Sequence, residues 1–187
     1  MGKLVVTEFI TIDGVIEDPG GSEKFERGGW AFQFDQGEEG GKFKFDELAA
    51  SDAQLLGRVT YDGFAAAWPT MEGTGEFGEK MNAMPKFVVS KTLTNPEWNN
   101  TTVLGGELAG EVAELKGQFA GDILVAGSAQ LVRALVADGL VDELRLMVFP
   151  TVLGAGKRLF EDGGAATSLK LVDTKQTGEV AILTFAR

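Results

Sequence analysis

The segment ILVAGSAQL, residues 123–131, decides the fold class of this chain. Its first half is a short continuous run of apolar residues, which is typical of a strand buried on both faces of a parallel sheet. Gly127 ends the run, and the amphipathic pattern after it predicts a helix over residues 129–137. A buried strand that passes through a glycine turn into a helix indicates a βα unit, so we expect an α/β protein.

Units of the same kind lie on both sides of this segment. The patterns predict strands over residues 3–10, 52–57, 86–90, 101–104, 122–126 and 142–149, and helices over residues 43–51, 59–68, 108–118 and 129–137. A loop with a short helix is expected over residues 22–41, and a closing hairpin over residues 169–177 and 179–186. The prediction is one α/β domain over residues 1–187, with a mainly parallel central sheet flanked by helices and a C-terminal antiparallel hairpin.

Composition excludes several kinds of chemistry. The 187 residues include neither cysteine nor histidine, so disulfides, the usual transition-metal sites and Ser-His or Cys-His nucleophiles are excluded. A Mg²⁺ or Ca²⁺ site of carboxylates alone is the alternative left open, but the sequence has no Asp-rich loop of EF-hand type, and we expect no metal. The net charge of −11 argues against a nucleic-acid partner, because phosphate binding needs a basic surface. A local basic pocket for one phosphorylated cofactor is still compatible with this charge.

Targeting signals are not evident. Residues 1–6 enter an alternating segment rather than a secretory hydrophobic region, and no run approaches the roughly 18 apolar residues of a membrane helix. We therefore expect a cytoplasmic protein without a membrane partner.

The first candidate site is LGRVTY, residues 56–61, where a buried strand meets a helix. Gly57 permits close backbone approach, the start of the helix offers unpaired amides at Val59 and Thr60, and Arg58 can form a fork of hydrogen bonds to phosphate. A plain turn at Gly57 with a surface ion pair of Arg58 explains the same residues.

Two further strand ends have a similar character. Ser90, Lys91 and Thr92 place two hydroxyls and a cation after a strand, which suits a monophosphate, although a solvated strand terminus is the alternative. Gly127, Ser128, Ala129 and Gln130 let a diphosphate approach a helix N-terminus, although a tight βα turn explains them too. A dinucleotide needs both kinds of site, so the three ends are stronger evidence together than singly.

Competing nucleotide motifs fail. The segment GAGK, residues 154–157, has Thr151 where a Walker motif has its first glycine, and Arg158 where it has Ser or Thr. No G-x-G-x-x-G follows the first strand, so a Rossmann fingerprint is lacking.

The ordered set of motifs resembles the dihydrofolate-reductase-like superfamily, and within it the reductase (C-terminal) domain of the bifunctional riboflavin-biosynthesis deaminase-reductase. The segments that carry the resemblance are TIDGVI (11–16), LGRVTY (56–61), VSKT (89–92), AGSA (126–129) and FPTVLG (149–154). The resemblance implies an NADPH-dependent oxidoreductase that transfers hydride to a C=N or C=O group of a small pterin-like or ribosylamino-pyrimidine-like substrate. A nucleotide-binding protein of this fold without catalysis is the alternative.

The resemblance also implies roles for individual residues. Backbone groups of Phe9 and Ile16 would hold the nicotinamide amide, and the loop after Asp13 would cover it. Arg58 and Lys91 would face the 2′-phosphate side, with Ser90 close by, and the diphosphate would lie at Thr60 and residues 127–130. Gly57, Val59 and Thr92 complete the expected cofactor-binding residues.

The substrate side is less well defined by the sequence. Asp13 is the candidate proton donor, and an Asp-Gly turn is the alternative for it. Trp30, Phe34, Phe64 and Met147 are candidate walls of the substrate pocket, and core packing is the alternative for each.

Two features depart from the folate-reducing members. Their paired glycines are Gly127 and Ser128 here, and their pterin-binding carboxylate has no counterpart at the matching spacing, where Gly41 stands. Zinc ligands of a deaminase domain are lacking as well. Similar proteins tend to be dimers and the closing hairpin has a free edge, so we expect a homodimer.

Overall fold

A computed structural model describes residues 1–187 as eight strands, five α-helices and one short 3₁₀-helix. The strands are β1 Leu4–Thr11, β2 Ser51–Gly57, β3 Lys86–Val89, β4 Thr101–Leu104, β5 Asp122–Val125, β6 Glu143–Phe149, β7 Lys170–Thr177 and β8 Val180–Ala186. The helices are α1 Gly37–Ala49, α2 Arg58–Ala67, α3 Gly75–Ala83, α4 Leu108–Gln118 and α5 Ala129–Ala137, and the 3₁₀-helix is Trp30–Gln33.

All eight strands belong to one sheet, in the order β4-β3-β2-β5-β1-β6-β8-β7. The first six are parallel to their neighbours, whereas β8 pairs antiparallel with both β6 and β7. The predicted α/β fold with a mainly parallel sheet and a C-terminal antiparallel hairpin is thus confirmed.

Helices cover both faces of the parallel part of the sheet. On one face α4 and α5 bury Leu115 and Leu135 against β1, β2 and β5. On the other face α1, α2 and α3 bury a second cluster that includes Leu48, Tyr61 and Met81. Because both faces are covered, the parallel strands are apolar on both sides, as the run at residues 123–125 predicts.

Helix α3 was not predicted, and α1 begins at Gly37 rather than at residue 43. Both segments contain glycines and have few apolar residues, so their sequence patterns are weak. Tertiary contacts stabilise α3, since Met81 is buried and Asn82 accepts a hydrogen bond of 2.7 Å from the indole of Trp98. None of the helices has the length and apolar character needed to cross a membrane.

Candidate active site at the carboxyl edge of the sheet

At the carboxyl edge of the sheet the connections leave the neighbouring strands β5 and β1 on opposite faces, and we call the space between these two strand ends the crevice. After β5 the chain enters α5 on one face, and after β1 it leads to α1 on the other face. Strand β1 pairs with β5 only as far as Val6, whereas its pairing with β6 continues to Thr11. The last residues of β1 are therefore unpaired on the β5 side. Open α/β sheets bind ligands at switch points of this kind.

Two glycines bring the ends of β2 and β5 together. The amide of Gly57 donates a hydrogen bond of 3.2 Å to the carbonyl of Gly127. A Cβ on Gly57 would lie 2.9 Å from the backbone nitrogen of Ser128, and a Cβ on Gly127 would lie 2.8 Å from Oγ1 of Thr60. Gly127 also has φ +97°, a conformation that favours glycine, and its peptide bond to Ser128 is cis. The structure thus joins the two predicted diphosphate segments.

The N-termini of α2 and α5 differ from those of the other helices. Neither has an acidic residue in its first turn or a side-chain cap, although the chain carries a net charge of −11. The first turns of α1, α3 and α4 all contain glutamate: Glu38, Glu39, Glu76 and Glu111. Free amides without nearby carboxylates favour anions, so Val59, Thr60, Ala129 and Gln130 lie where a diphosphate would be stabilised.

Cations and hydroxyls lie beside this pair of helix N-termini. Gly57 and Val89 are in register on neighbouring strands, so Arg58 and Ser90 follow them at the same edge. Nε of Arg58 donates to both carboxylate oxygens of Asp62 at 2.8 Å on the surface. Lys91 and Thr92 are exposed, and Oγ of Ser90 accepts the amide of Thr92 at 3.2 Å.

The segments expected to hold a nicotinamide lie on the other side of the crevice. Phe9 belongs to the part of β1 that pairs with β6 alone, and its ring packs on Phe149 at 5.2 Å between centroids. The amide of Ile16 donates to the carbonyl of Lys157 at 2.9 Å. Ile16 can therefore offer a ligand its carbonyl but not its amide.

Asp13 joins the segment after β1 to the segment after β6. Its carboxylate accepts the hydroxyl of Thr11 at 2.6 Å and the amides of Leu153 and Gly154 at 3.2 and 2.8 Å. Burial raises the pKa of Asp13, but these three hydrogen bonds outweigh burial and keep the pKa below its ordinary value. An ionised acceptor of this kind is suited to positioning the loop, and the proton-donor role of Asp13 stays a prediction.

Three of the four predicted pocket walls lie in a third apolar cluster, which surrounds Phe149. Trp30 and Met147 are buried and Phe34 is half-buried, all around the ring of Phe149. Phe64 does not join them, because it packs against Trp68 and Trp98 in the second cluster on α2. The structure therefore separates Phe64 from the expected pocket.

Helix α1 has no carboxylate at the place expected for pterin binding. Gly41 is exposed, and a Cβ on its neighbour Gly40 would lie 2.9 Å from Cε of Met147. The buried carboxylate of α1 is Glu47, which accepts the hydroxyl of Thr7 at 3.0 Å and pairs with Lys44.

The sequence interpretation missed Glu8 on β1. Its Oε1 is buried without a hydrogen-bond partner, although the residue as a whole is partly exposed. The same Oε1 would lie 3.7 Å from a Cβ on Gly127, which places it in the crevice. A charged residue in a strand that otherwise alternates is the one signal that the sequence offers for it.

A depression between α1 and α3 lies elsewhere. A space of about 240 Å³ between α1 and α3 is lined by Phe45, Leu48, Ala49, Glu76, Phe77 and Lys80. It is away from the glycine turns and from the helix N-termini without acidic residues, so it does not share their chemistry.

Fold and site together define an α/β protein of the dihydrofolate-reductase-like class. A structure of dihydrofolate reductase from Enterococcus faecalis with NADP(H) aligns over 100% of this chain and 96% of its own, with 17% identity and a TM-score of 0.58. A protein from Shewanella sp. PV-4, provisionally assigned to riboflavin biosynthesis, aligns over 100% of this chain and 99% of its own, with 20% identity and a TM-score of 0.79.

Comparison of the sequence with family models shows the family of this chain. Residues 2–183 match the model of the RibD C-terminal domain, and the chain belongs to that family. Among curated proteins, the uncharacterized protein YyaP of Bacillus subtilis (strain 168) is 33% identical over 133 residues, which are 70% of each chain.

Proposed function

We propose that this protein is an NADPH-dependent reductase that transfers hydride to a C=N or C=O group of a small pterin-like or ribosylamino-pyrimidine-like substrate. The observation that carries the proposal is the pair of helix N-termini joined at Gly57 and Gly127. Two glycine turns in contact and free of first-turn acids form a cradle for a diphosphate. Membership of the RibD C-terminal domain family and the NADP(H) in the similar dihydrofolate reductase support this reading.

Each part of the crevice has a task in this proposal. The amides at the starts of α2 and α5 hold the diphosphate, and Arg58 with Ser90 and Lys91 binds the 2′-phosphate. Backbone groups of Phe9 and Ile16 orient the nicotinamide. Bound NADPH supplies the hydride, and the protein positions the reacting groups and excludes water from them.

In this proposal the substrate lies against the apolar cluster around Phe149. Trp30 and Met147 are buried beneath this surface, and the half-buried Phe34 is at its rim. Gly41 stands where the pterin-binding carboxylate of folate-reducing members is expected, and it has no side chain to bind a pterin. We therefore expect poor reduction of dihydrofolate and better reduction of ribosylamino-pyrimidines.

Cofactor choice is tested by titration with NADPH and NADH, followed by the fluorescence of the three tryptophans. Charge-assisted hydrogen bonds contribute about 1.5–3 kcal/mol, so Arg58→Ala should weaken NADPH binding by about 10-fold or more and leave NADH binding unchanged. Lys170→Ala removes an exposed cation of β7 and serves as the control. Failure of wild type to bind either nucleotide would contradict the proposal.

Catalysis is tested by NADPH oxidation with pterins, ribosylamino-pyrimidines and quinonoid compounds. Turnover with one of these classes supports the reductase. Tight binding of NADPH without turnover on any of them favours the alternative, a nucleotide-binding protein that has kept the fold without catalysis.

A further inference from the structure

Glu8 places a carboxyl oxygen without a hydrogen-bond partner in the crevice. Its Oε1 is buried and unpaired, although the residue as a whole is partly exposed. The nearby cation Lys44 is engaged elsewhere, since its Nζ donates to Thr7 at 2.9 Å and pairs with Glu47. A buried polar atom without a partner costs free energy and is rare in folded proteins. A ligand that donates a hydrogen bond to Glu8 would remove this cost.

The side chain of Glu8 lies on the face of the sheet that α5 covers. Successive side chains of a strand point to opposite faces of its sheet. Val6 and Ile10, two residues before and two residues after Glu8, are buried in the cluster under α4 and α5. The ring of Phe9 packs on Phe149 on the other face. Glu8 therefore points away from the proposed substrate surface and towards the cofactor turns.

Two neighbours define the place of Glu8 along the proposed cofactor. A Cβ on Gly127 would lie 3.7 Å from Oε1 of Glu8 and 2.8 Å from Oγ1 of Thr60. Gly127 and Thr60 belong to the turns that hold the diphosphate in the proposed function. Phe9, the next residue along β1, holds the nicotinamide in the same proposal. Glu8 thus lies between the position of the diphosphate and that of the nicotinamide.

The covalent order of the cofactor decides which of its groups lies beside Glu8. In a nicotinamide dinucleotide a ribose joins the nicotinamide to the diphosphate, so a cofactor that occupies both positions places this ribose between them. Ribose hydroxyls are hydrogen-bond donors, and carboxylates accept them in other dinucleotide-binding folds. A phosphate group has no donor to offer at neutral pH, and its charge would be repelled by a carboxylate. The ribose is therefore the group that suits Glu8.

We propose that Glu8 is a cofactor-binding residue whose carboxyl oxygen accepts a hydrogen bond from a hydroxyl of the ribose that carries the nicotinamide. This inference rests on the cofactor binding in the function proposed above. The hydrogen bond holds the ribose, and with it the nicotinamide, at the end of β1. Burial raises the pKa of Glu8 to about 8, Lys44 lowers it and Glu23 raises it, and a hydroxyl donor would stabilise the ionised form.

Two fragments of the cofactor isolate the contribution of this ribose. The fragment 2′-phospho-ADP-ribose contains it, whereas 2′-phospho-ADP ends at the diphosphate. Two variants of similar volume isolate the contribution of the acceptor, because Glu8→Leu has none and Glu8→Gln keeps one oxygen. Calorimetric titration of wild type and both variants with each fragment requires neither turnover nor a nicotinamide.

The ribose contact predicts different results for the two fragments. Glu8→Leu should bind 2′-phospho-ADP-ribose and NADPH about 10-fold more weakly than wild type, because a hydrogen bond to a carboxylate is lost. Its affinity for 2′-phospho-ADP should be unchanged or higher, since a carboxyl group near the phosphates is removed. Glu8→Gln should lose less affinity for 2′-phospho-ADP-ribose than Glu8→Leu does. Glu114→Leu, at an exposed site of α4, should bind both fragments as wild type does.

The remaining outcomes separate this proposal from the proposed function. Equal weakening of both fragments by Glu8→Leu, or weakening of neither, would refute the ribose contact and leave the cofactor site in place. Equal affinities of Glu8→Leu and Glu8→Gln for 2′-phospho-ADP-ribose would show an effect of packing and would also refute the contact. Failure of wild type to bind NADPH and both fragments would refute the proposed function together with the role of Glu8.

Discussion

Lys86 is a fully buried cation that has no carboxylate partner. Its ammonium donates to the carbonyls of Asn82, Met84 and Asn99 at 2.9, 2.9 and 3.1 Å, and it lies 4.3 Å from the ring centroid of Trp98. These contacts join the end of α3 to β3 and to the loop before β4. Lys86 therefore has a structural role, although its strand β3 leads to Ser90 in the proposed 2′-phosphate site.

Replacing Lys86 should destabilise the protein. Lys86→Met leaves three carbonyls without their donor, and each buried unsatisfied group costs about 1–3 kcal/mol, partly offset because the charge is no longer buried. We expect a net loss of about 1–3 kcal/mol at pH 7 in urea unfolding, with NADPH affinity unchanged. Lys42→Met, at an exposed ion pair of α1, is the control and should change stability by less than about 1 kcal/mol.

Lys86 should also make the free energy of unfolding depend on pH. Burial lowers the pKa of Lys86 to about 8 from an ordinary value of 10.5, so the unfolded state binds the proton more tightly between these values. Wild type should therefore gain stability relative to Lys86→Met as the pH rises from about 8 to 10.5. A constant difference across this window would show that the ammonium is not destabilised by burial.

At the scale of single residues, local signals indicated the proposed cofactor side but not Glu8. Gly57, Arg58 and Gly127 could be predicted because strand ends and glycine turns are local signals. Glu8 could not, because its burial depends on α5 and β5, which are more than a hundred residues away along the chain.

At the scale of elements, the first turn of α2 gives a sharp test of the diphosphate cradle. Val59 is 58% exposed, so Val59→Glu adds a carboxylate at the helix N-terminus without disturbing the core. The acid should repel the diphosphate and weaken NADPH binding by about 10-fold or more, while the helix dipole stabilises the new charge by up to about 1 kcal/mol. In Val59→Glu the affinity for NADPH should thus fall while the free energy of unfolding, measured in urea, should rise.

The control for this charge lies on the same helix. Ala66→Glu places the acid at an exposed position in the last turn of α2 and should leave NADPH binding unchanged. If both variants weaken binding equally, the effect is one of net charge and the cradle is in the wrong place.

Substitution of two nearby glycines, Gly57 and Gly63, tests the contact between the turn after β2 and the turn after β5. A Cβ at Gly57 would overlap the backbone nitrogen of Ser128 at 2.9 Å, so Gly57→Ala must push the turns apart. We expect a loss of about 1–3 kcal/mol in stability together with loss of NADPH binding. Gly63→Ala lies inside α2 with open space around it and should stabilise the helix by up to about 1 kcal/mol. Equal stability of the two variants would contradict a close contact at Gly57.

Helix α3 shows where element prediction from the sequence ends. The segment GEFGEKMNA has two glycines and weak amphipathic character, and its helix is held by tertiary contacts of Met81 and Asn82. By contrast, α4 and α5 have the predicted bounds, because their apolar residues recur with a clear helical period.

At the scale of the whole molecule, β7 leaves one edge of the sheet open. It pairs only with β8, and its side chains Leu171 and Val172 are 54% and 56% exposed. An edge strand with apolar residues and no cover invites pairing with another chain. We predict a homodimer through this edge.

Light scattering at micromolar concentration tests this prediction. The dimer should have a mass of about 40 kDa, twice the 19.9 kDa of one chain. Val172→Lys should shift the protein towards the monomer, because like charges would face each other across the edge. Phe160→Lys, at an exposed apolar residue outside the sheet, should remain dimeric, and a monomeric wild type would refute the prediction.

The sequence by itself determined the α/β class and most of the strands and helices, and it indicated the three strand ends of the proposed nucleotide site. These features depend on local periodicity and on turn residues a few positions apart, so they can be recognised without knowing the partners in space. The tertiary structure decided the order of the strands, the contact between Gly57 and Gly127, the separation of Phe64 from Trp30, and the burial of Oε1 of Glu8. Each of these depends on pairing between segments that are distant along the chain, and sheet pairing is set by packing over the whole molecule rather than by the residues of one strand.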